Sequence, residues 1–279
     1  MSRPIRPWRA AALFPILSFC GLAHVRAAGT TVYLPVGGEN VRAYLVTPSA
    51  PGPTAQKPGI VVMHHFWGLD THTRSVADRF ADEGYVTIAP DLYRGVVGAD
   101  PGLADDLMRK VDEGRAVAIV KEAIAYLRNM DGSARRPVAL VGFDLGGRVS
   151  LAAALQGADV QGVVIFYAHV ETSPERLAPL KMDVLGIFAR DDPTIGADEV
   201  KKFEEAVRAV GRSATIITYP SVGHSFFDEG HPDYDRPLAM DAWFRTKNWL
   251  TERFRPAASA KPTPPTPGQA PTTGAPPRP

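Results

Sequence analysis

Cysteine is almost absent: one occurs in 279 residues, Cys20. That excludes a disulfide framework and a thiolate metal site. An excess of either charge is also missing, with 31 Lys and Arg against 30 Asp and Glu. A nucleic-acid binder would carry a basic stripe, and none is present. No apolar run has the length of a mature membrane span. No internal repeat recurs at a fixed period. What remains is the composition of an ordinary soluble enzyme, 45% hydrophobic and 22% charged.

The two ends differ from the middle. Arg3, Arg6 and Arg9 precede the apolar stretch 10–23, and Val25-Arg26-Ala27 offers a cleavage site. This pattern predicts a signal peptide over residues 1–27 and a mature chain in the periplasm or outside the cell. Bulky Phe19 before Cys20 argues against a lipoprotein signal. Cleavage leaves 27 basic and 30 acidic residues, a net charge of −3, and no cysteine at all. The mature chain therefore has no thiol nucleophile. Residues 256–279 hold nine of the 26 prolines and no aromatic or large aliphatic residue. Such a tail cannot offset its ordering entropy by burial, so it is expected to be disordered and extended. Residues 28–255 have the size of one large α/β domain. A monomer is expected.

Within that domain short apolar runs alternate with helical patterns. Strands are predicted at 30–35 and 40–47 as a hairpin around Gly37-Gly38, then at 59–64, 85–89, 137–142, 162–167, 184–189 and 214–219. Helices are predicted at 71–83, 103–130, 145–156, 197–210 and 236–254. This alternation predicts a mostly parallel sheet covered by helices on both faces. Chemistry in such sheets sits at the carboxyl ends of the strands.

Three of those ends carry reactive side chains. Gly142-Phe143-Asp144-Leu145-Gly146-Gly147 has the form of a nucleophile elbow between a strand and a helix. Its bland alternative is a turn in which Asp144 caps the helix. Arg190-Asp191-Asp192-Pro193 follows a later strand, with Asp192 the better acid and Asp191 the fallback. Gly223-His224-Ser225-Phe226 follows the last strand. Elbow, acid, histidine is the chain order of α/β-hydrolase triads.

With His65-Phe66-Trp67-Gly68-Leu69 and Ala89-Pro90-Asp91-Leu92-Tyr93, these stretches resemble the dienelactone hydrolase family over roughly residues 30–255. The resemblance implies a compact α/β-hydrolase without a cap domain, acting on small lactones or esters and needing no cofactor or metal. It implies a triad at Asp144, Asp192 and His224. The oxyanion hole would be the backbone N–H groups of Phe66 and Leu145, and the substrate pocket would include His65, Trp67 and Tyr93. Three positions depart from the family pattern. Asp144 stands where the family has Cys, His65 where it has Glu, and Asp228 where it tends to have Arg.

Asp144 leaves several chemistries open. A carboxylate nucleophile suits attack at saturated carbon, as in dehalogenases and epoxide hydrolases, with His65 and Trp67 available to a leaving halide. Those enzymes carry a helical cap, whereas only residues 168–183 lie between the two relevant strands. Asp144 and His224 could instead activate water as general bases. Adjacent His64 and His65 point opposite ways from a strand end, so only one could join Asp144, Asp192 and His224 in a metal site. The last option is a binding protein on a hydrolase fold that has lost its nucleophile.

Overall fold

The structure is a computed structural model that describes residues 29–49, 52–133 and 136–255. The predicted signal peptide and the proline-rich tail lie outside these residues.

Eight strands form one sheet in the order β1-β2-β4-β3-β5-β6-β7-β8. The hairpin β1 (Thr30–Val36) and β2 (Glu39–Val46) turns at Gly37 and Gly38, both with positive φ. It joins the sheet antiparallel through β4 (Val86–Pro90). The remaining strands are parallel: β3 (Gly59–Met63), β5 (Val138–Phe143), β6 (Val163–Phe166), β7 (Val184–Ala189) and β8 (Ala214–Tyr219).

Alternation along the strands feeds two cores. Val61 and Met63 of β3, with Val138 and Leu140 of β5, face α3 (Glu113–Asn129), α4 (Leu145–Leu155) and α6 (Ala197–Ala209). Ile60, Val62, Ala139 and Val141 face the opposite way, toward α1 (Thr71–Asp82) and α7 (Arg236–Arg253). Because both faces are covered, β3 through β7 read as continuous apolar runs in sequence.

One predicted helix is two. The 103–130 stretch divides into α2 (Pro101–Arg109) and α3. The break has a local cause. The Asp112 carboxylate accepts from the Arg115 N–H at 2.7 Å and so starts a new helix, leaving Val111 in the link. Asp100 caps α2 in the same way, with Pro101 in its first turn. A one-turn helix, α5 (Pro174–Leu177), lies between β6 and β7, which are too close in sequence for a cap domain.

At the amino edge of the sheet a buried arginine gathers several segments. Arg136 donates to the carbonyls of Leu127 (2.8 Å), Thr54 (3.0 Å) and Lys57 (2.6 Å) and to the Ser133 hydroxyl (2.8 Å). Bonds to a charged donor are worth roughly 1.5–3 kcal/mol each, enough to offset burial of the guanidinium. Replacing Arg136 with Leu strands these acceptors. Urea unfolding of Arg136→Leu is expected to show about 3 kcal/mol lost stability with an unchanged slope.

Candidate active site

The elbow depends on close approach. A Cβ on Gly142 would collide with the Gly146 carbonyl, one on Gly146 with the Met63 and His64 carbonyls, and one on Gly147 with Ala168. Only glycine lets α4 begin this near the ends of β3, β5 and β6. The turn puts Asp144 at φ 49° and ψ −116°, a conformation costly for a residue with a side chain. Its N–H is held by the Phe166 carbonyl at 2.9 Å. Asp144 occupies the capping position, yet its carboxylate makes no capping bond. The side chain instead lines a cavity of about 400 Å³.

His224 reaches that cavity from the loop after β8, and Asp192, on the loop after β7, is paired with its ring. His224 Nδ1 lies 2.7 Å from Asp192 Oδ2, and Nε2 lies 3.9 Å from Asp144 Oδ1. The other Asp192 oxygen accepts from the Thr194 N–H (2.8 Å), the Thr194 hydroxyl (2.7 Å) and the Ile195 N–H (3.1 Å). Fully engaged, this carboxylate has one direction left for the imidazole. Burial raises the Asp192 carboxyl, but these bonds and His224 prevail and hold it below its ordinary value. Burial pushes the His224 imidazolium down. The Asp192 bond and the charges of Asp192, Asp144 and Asp233 outweigh it, leaving the histidine above 6.5. Asp191 makes no such contact; its N–H goes to the Val222 carbonyl and its side chain is exposed.

Phe66 and Leu145 line the same cavity. Among the described residues, neither backbone N–H has a hydrogen-bond partner. Both are therefore free to donate to a developing negative charge. Trp67 also lines the cavity, its indole edge-on to Phe66 at 5.1 Å.

His65 and Tyr93 do not, which corrects their expected place in the substrate pocket. Tyr93 is 4% exposed and its hydroxyl donates to the Phe66 carbonyl at 3.0 Å, so it props the loop from behind. His65 is 2% exposed, with Nε2 3.2 Å from Asp70 Oδ2, and is not available to a leaving halide. His64 points the other way. Its Nδ1 donates to the His65 carbonyl and its Nε2 accepts from the Leu92 N–H at 3.1 Å. Burial lowers its pKa to about 4, so it stays neutral and structural. Among the described residues no group of His, Cys, Asp or Glu is arranged to hold a metal ion.

Sequence reading overlooked four polar lining residues: Arg148, His169, Thr194 and His231. Arg148 was recoverable, since it sits one helical turn past Asp144 on the same face. The others come from loops whose course only the fold reveals.

These features define a class: a cap-less α/β-hydrolase with a carboxylate at its elbow. The dienelactone hydrolase family's sequence profile matches residues 41–254, and the chain belongs to that family of hydrolases. It is 31% identical over 232 residues to "Protein usf" of Aquifex pyrophilus, covering 80% of this chain and 98% of that one. It is 28% identical over 233 residues to the "Putative carboxymethylenebutenolidase" of Yersinia pestis, covering 78% and 86%. Among solved structures, the "Putative Dienelactone Hydrolase" of Klebsiella pneumoniae superposes with a TM-score of 0.73 at 27% identity, covering 81% and 98%.

The electrostatics of His224 can be measured directly. Its imidazole is expected to titrate above 6.5, and Asp144→Asn is expected to lower that midpoint by removing one raising charge. Folding raises this pKa, so the stability it contributes is present at acid pH and fades as pH rises through the folded value. Nuclear magnetic resonance titration of the ring protons checks both the midpoint and its shift.

Proposed function

We propose that this chain is an exported hydrolase of a small ester or lactone in which water, not a side chain, attacks the carbonyl. The arrangement that supports this reading is His224 set between Asp192 and Asp144, beside a cavity also lined by Phe66 and Leu145, whose backbone amides have no partner among the described residues. At 3.9 Å, Asp144 and His224 are too far apart for a hydrogen bond to each other. Both can still grip one water placed beside them.

The step follows from these positions. Neutral His224 Nε2 takes a proton from the water while Asp144 accepts its other hydrogen bond. The water oxygen bonds to the carbonyl carbon, and the carbonyl π pair moves onto oxygen toward the two amides. Collapse of the tetrahedral species breaks the bond to the alkoxide oxygen, which takes the proton from His224. The products are an acid and an alcohol, or a hydroxy acid from a lactone. Asp192 fixes the imidazole's orientation and stabilises its protonated form. Attack by Asp144 on an ester would instead give a reactive anhydride with little gain. An alkyl-ester route suits capped enzymes, and here α5 alone occupies the place of a cap. The protein acts as a monomer on a small molecule.

Three measurements test this. His224→Ala and Asp192→Ala are expected to lower kcat on p-nitrophenyl acetate by roughly two or more orders of magnitude; full activity in both refutes the assignment. A single turnover in H₂¹⁸O is expected to place the label in the product acid, whereas label in Asp144 would establish a side-chain nucleophile. Asp144→Ser and Asp144→Cys are expected to gain activity on activated esters, because the amides and His224 still serve a restored nucleophile. Export is checked by intact mass: the processed chain is expected to begin near Ala28, and retention of residues 1–27 overturns that part.

A further inference from the structure

Behind the cavity lies a buried cluster that the proposed chemistry does not use. Asp228, 5% exposed, stands four residues after His224, on the same loop. Its Oδ1 is 3.2 Å from His72 Nδ1 and accepts from the Gly230 N–H at 2.9 Å. Its Oδ2 faces His65 Nδ1 at 3.9 Å. His65 in turn is held through Nε2 by Asp70, which caps α1 by accepting from the Thr73 N–H at 2.9 Å. Burial works against the charged form of Asp70, but His65 and Thr73 bind that form and bring its pKa to about 2.

The position of these groups along the chain gives the cluster its meaning. His65 immediately precedes Phe66, whose amide faces the developing oxyanion in the proposed step. Asp228 belongs to the loop that carries His224, and that loop is not held by regular secondary structure. Ser225, directly after His224, has φ 65°, a strained conformation for serine. Something must hold the loop in that shape. The Asp228 N–H returns to the Ser225 carbonyl at 2.9 Å, so the carboxylate that His72 holds at 3.2 Å and His65 faces at 3.9 Å is linked to the strained turn through its own backbone.

We propose that Asp228 and His65 form a clasp that fixes His224 relative to the Phe66 amide, making both of them positioning residues. The clasp joins the two loops that supply the base and one oxyanion donor. Neither residue touches substrate. This inference rests on the catalytic role given above to His224 and Phe66.

A charge-swap cycle in the full-length chain tests it. Asp228→Ala and His65→Ala are each expected to lower kcat for p-nitrophenyl acetate roughly 10- to 100-fold, the effect of a misplaced base. KM is expected to stay within about threefold of the original, because binding contacts are untouched. The double alanine variant is expected to lose little more than the worse single variant. His65→Glu paired with Asp228→Arg is expected to recover most of kcat, although each change alone does not. The low-field proton of the His224–Asp192 bond gives a second readout that needs no turnover. It is expected to shift in Asp228→Ala and to return in the swapped pair. Unchanged kcat and an unmoved resonance in Asp228→Ala overturn the clasp, as do losses that simply add. If the alanine variant does not fold, Asp228→Asn decides in the same two readouts. Should the wild-type chain cleave no ester, the proposed reaction fails, while the resonance still decides the clasp.

Discussion

The close approach of α4 to the ends of β3 and β5 is the constraint on which the site depends. A helix can start that near two strands only if no side chain intervenes, and Gly142 and Gly146 meet this requirement. The resulting turn forces a positive φ on the residue between them. Whatever occupies position 144 is thereby lifted off the sheet and pointed into the cavity. The backbone sets the location, and the side chain determines only the chemistry performed there. An aspartate can thus stand in place of a thiol without any change of architecture.

Much of this was legible in sequence because the fold writes period-two and continuous apolar runs into its strands. All eight strands were found, since five of them are buried on both faces and carry few polar residues. The elbow, Asp192 and His224 were legible because each follows a strand and sits beside glycine or proline. The division between α2 and α3 was not, because helical spacing continues across Val111 and a single aspartate cap outweighs it. The placement of His65 was not legible either. Whether a histidine beside a strand end turns to the cavity or to the protein depends on partners such as Asp70 and Asp228. The second of these lies 163 positions away in the chain.

His65 and Asp228 also relate two departures from the family pattern that look independent in sequence. The resemblance sets Glu and Arg at these positions, and here an imidazole and a carboxylate occupy them in the opposite order. In the structure the two side chains face each other. The two departures therefore meet at one place in this fold.

Asp70, Asp100, Asp112, Ser173 and Asp235 each place a side-chain oxygen on a first-turn N–H of their helix. The elbow helix α4 receives no such oxygen, although an aspartate occupies its capping position. Among the described residues α6 also lacks a side-chain cap, but Asp198 and Glu199 stand in its first turn, whereas the first turn of α4 holds no acidic residue. The N–H of Leu145, the first residue of α4, is left without a partner among the described residues at the cavity wall. A hydrogen-bond donor is thereby fixed beside the Asp144 side chain, in place before any substrate arrives.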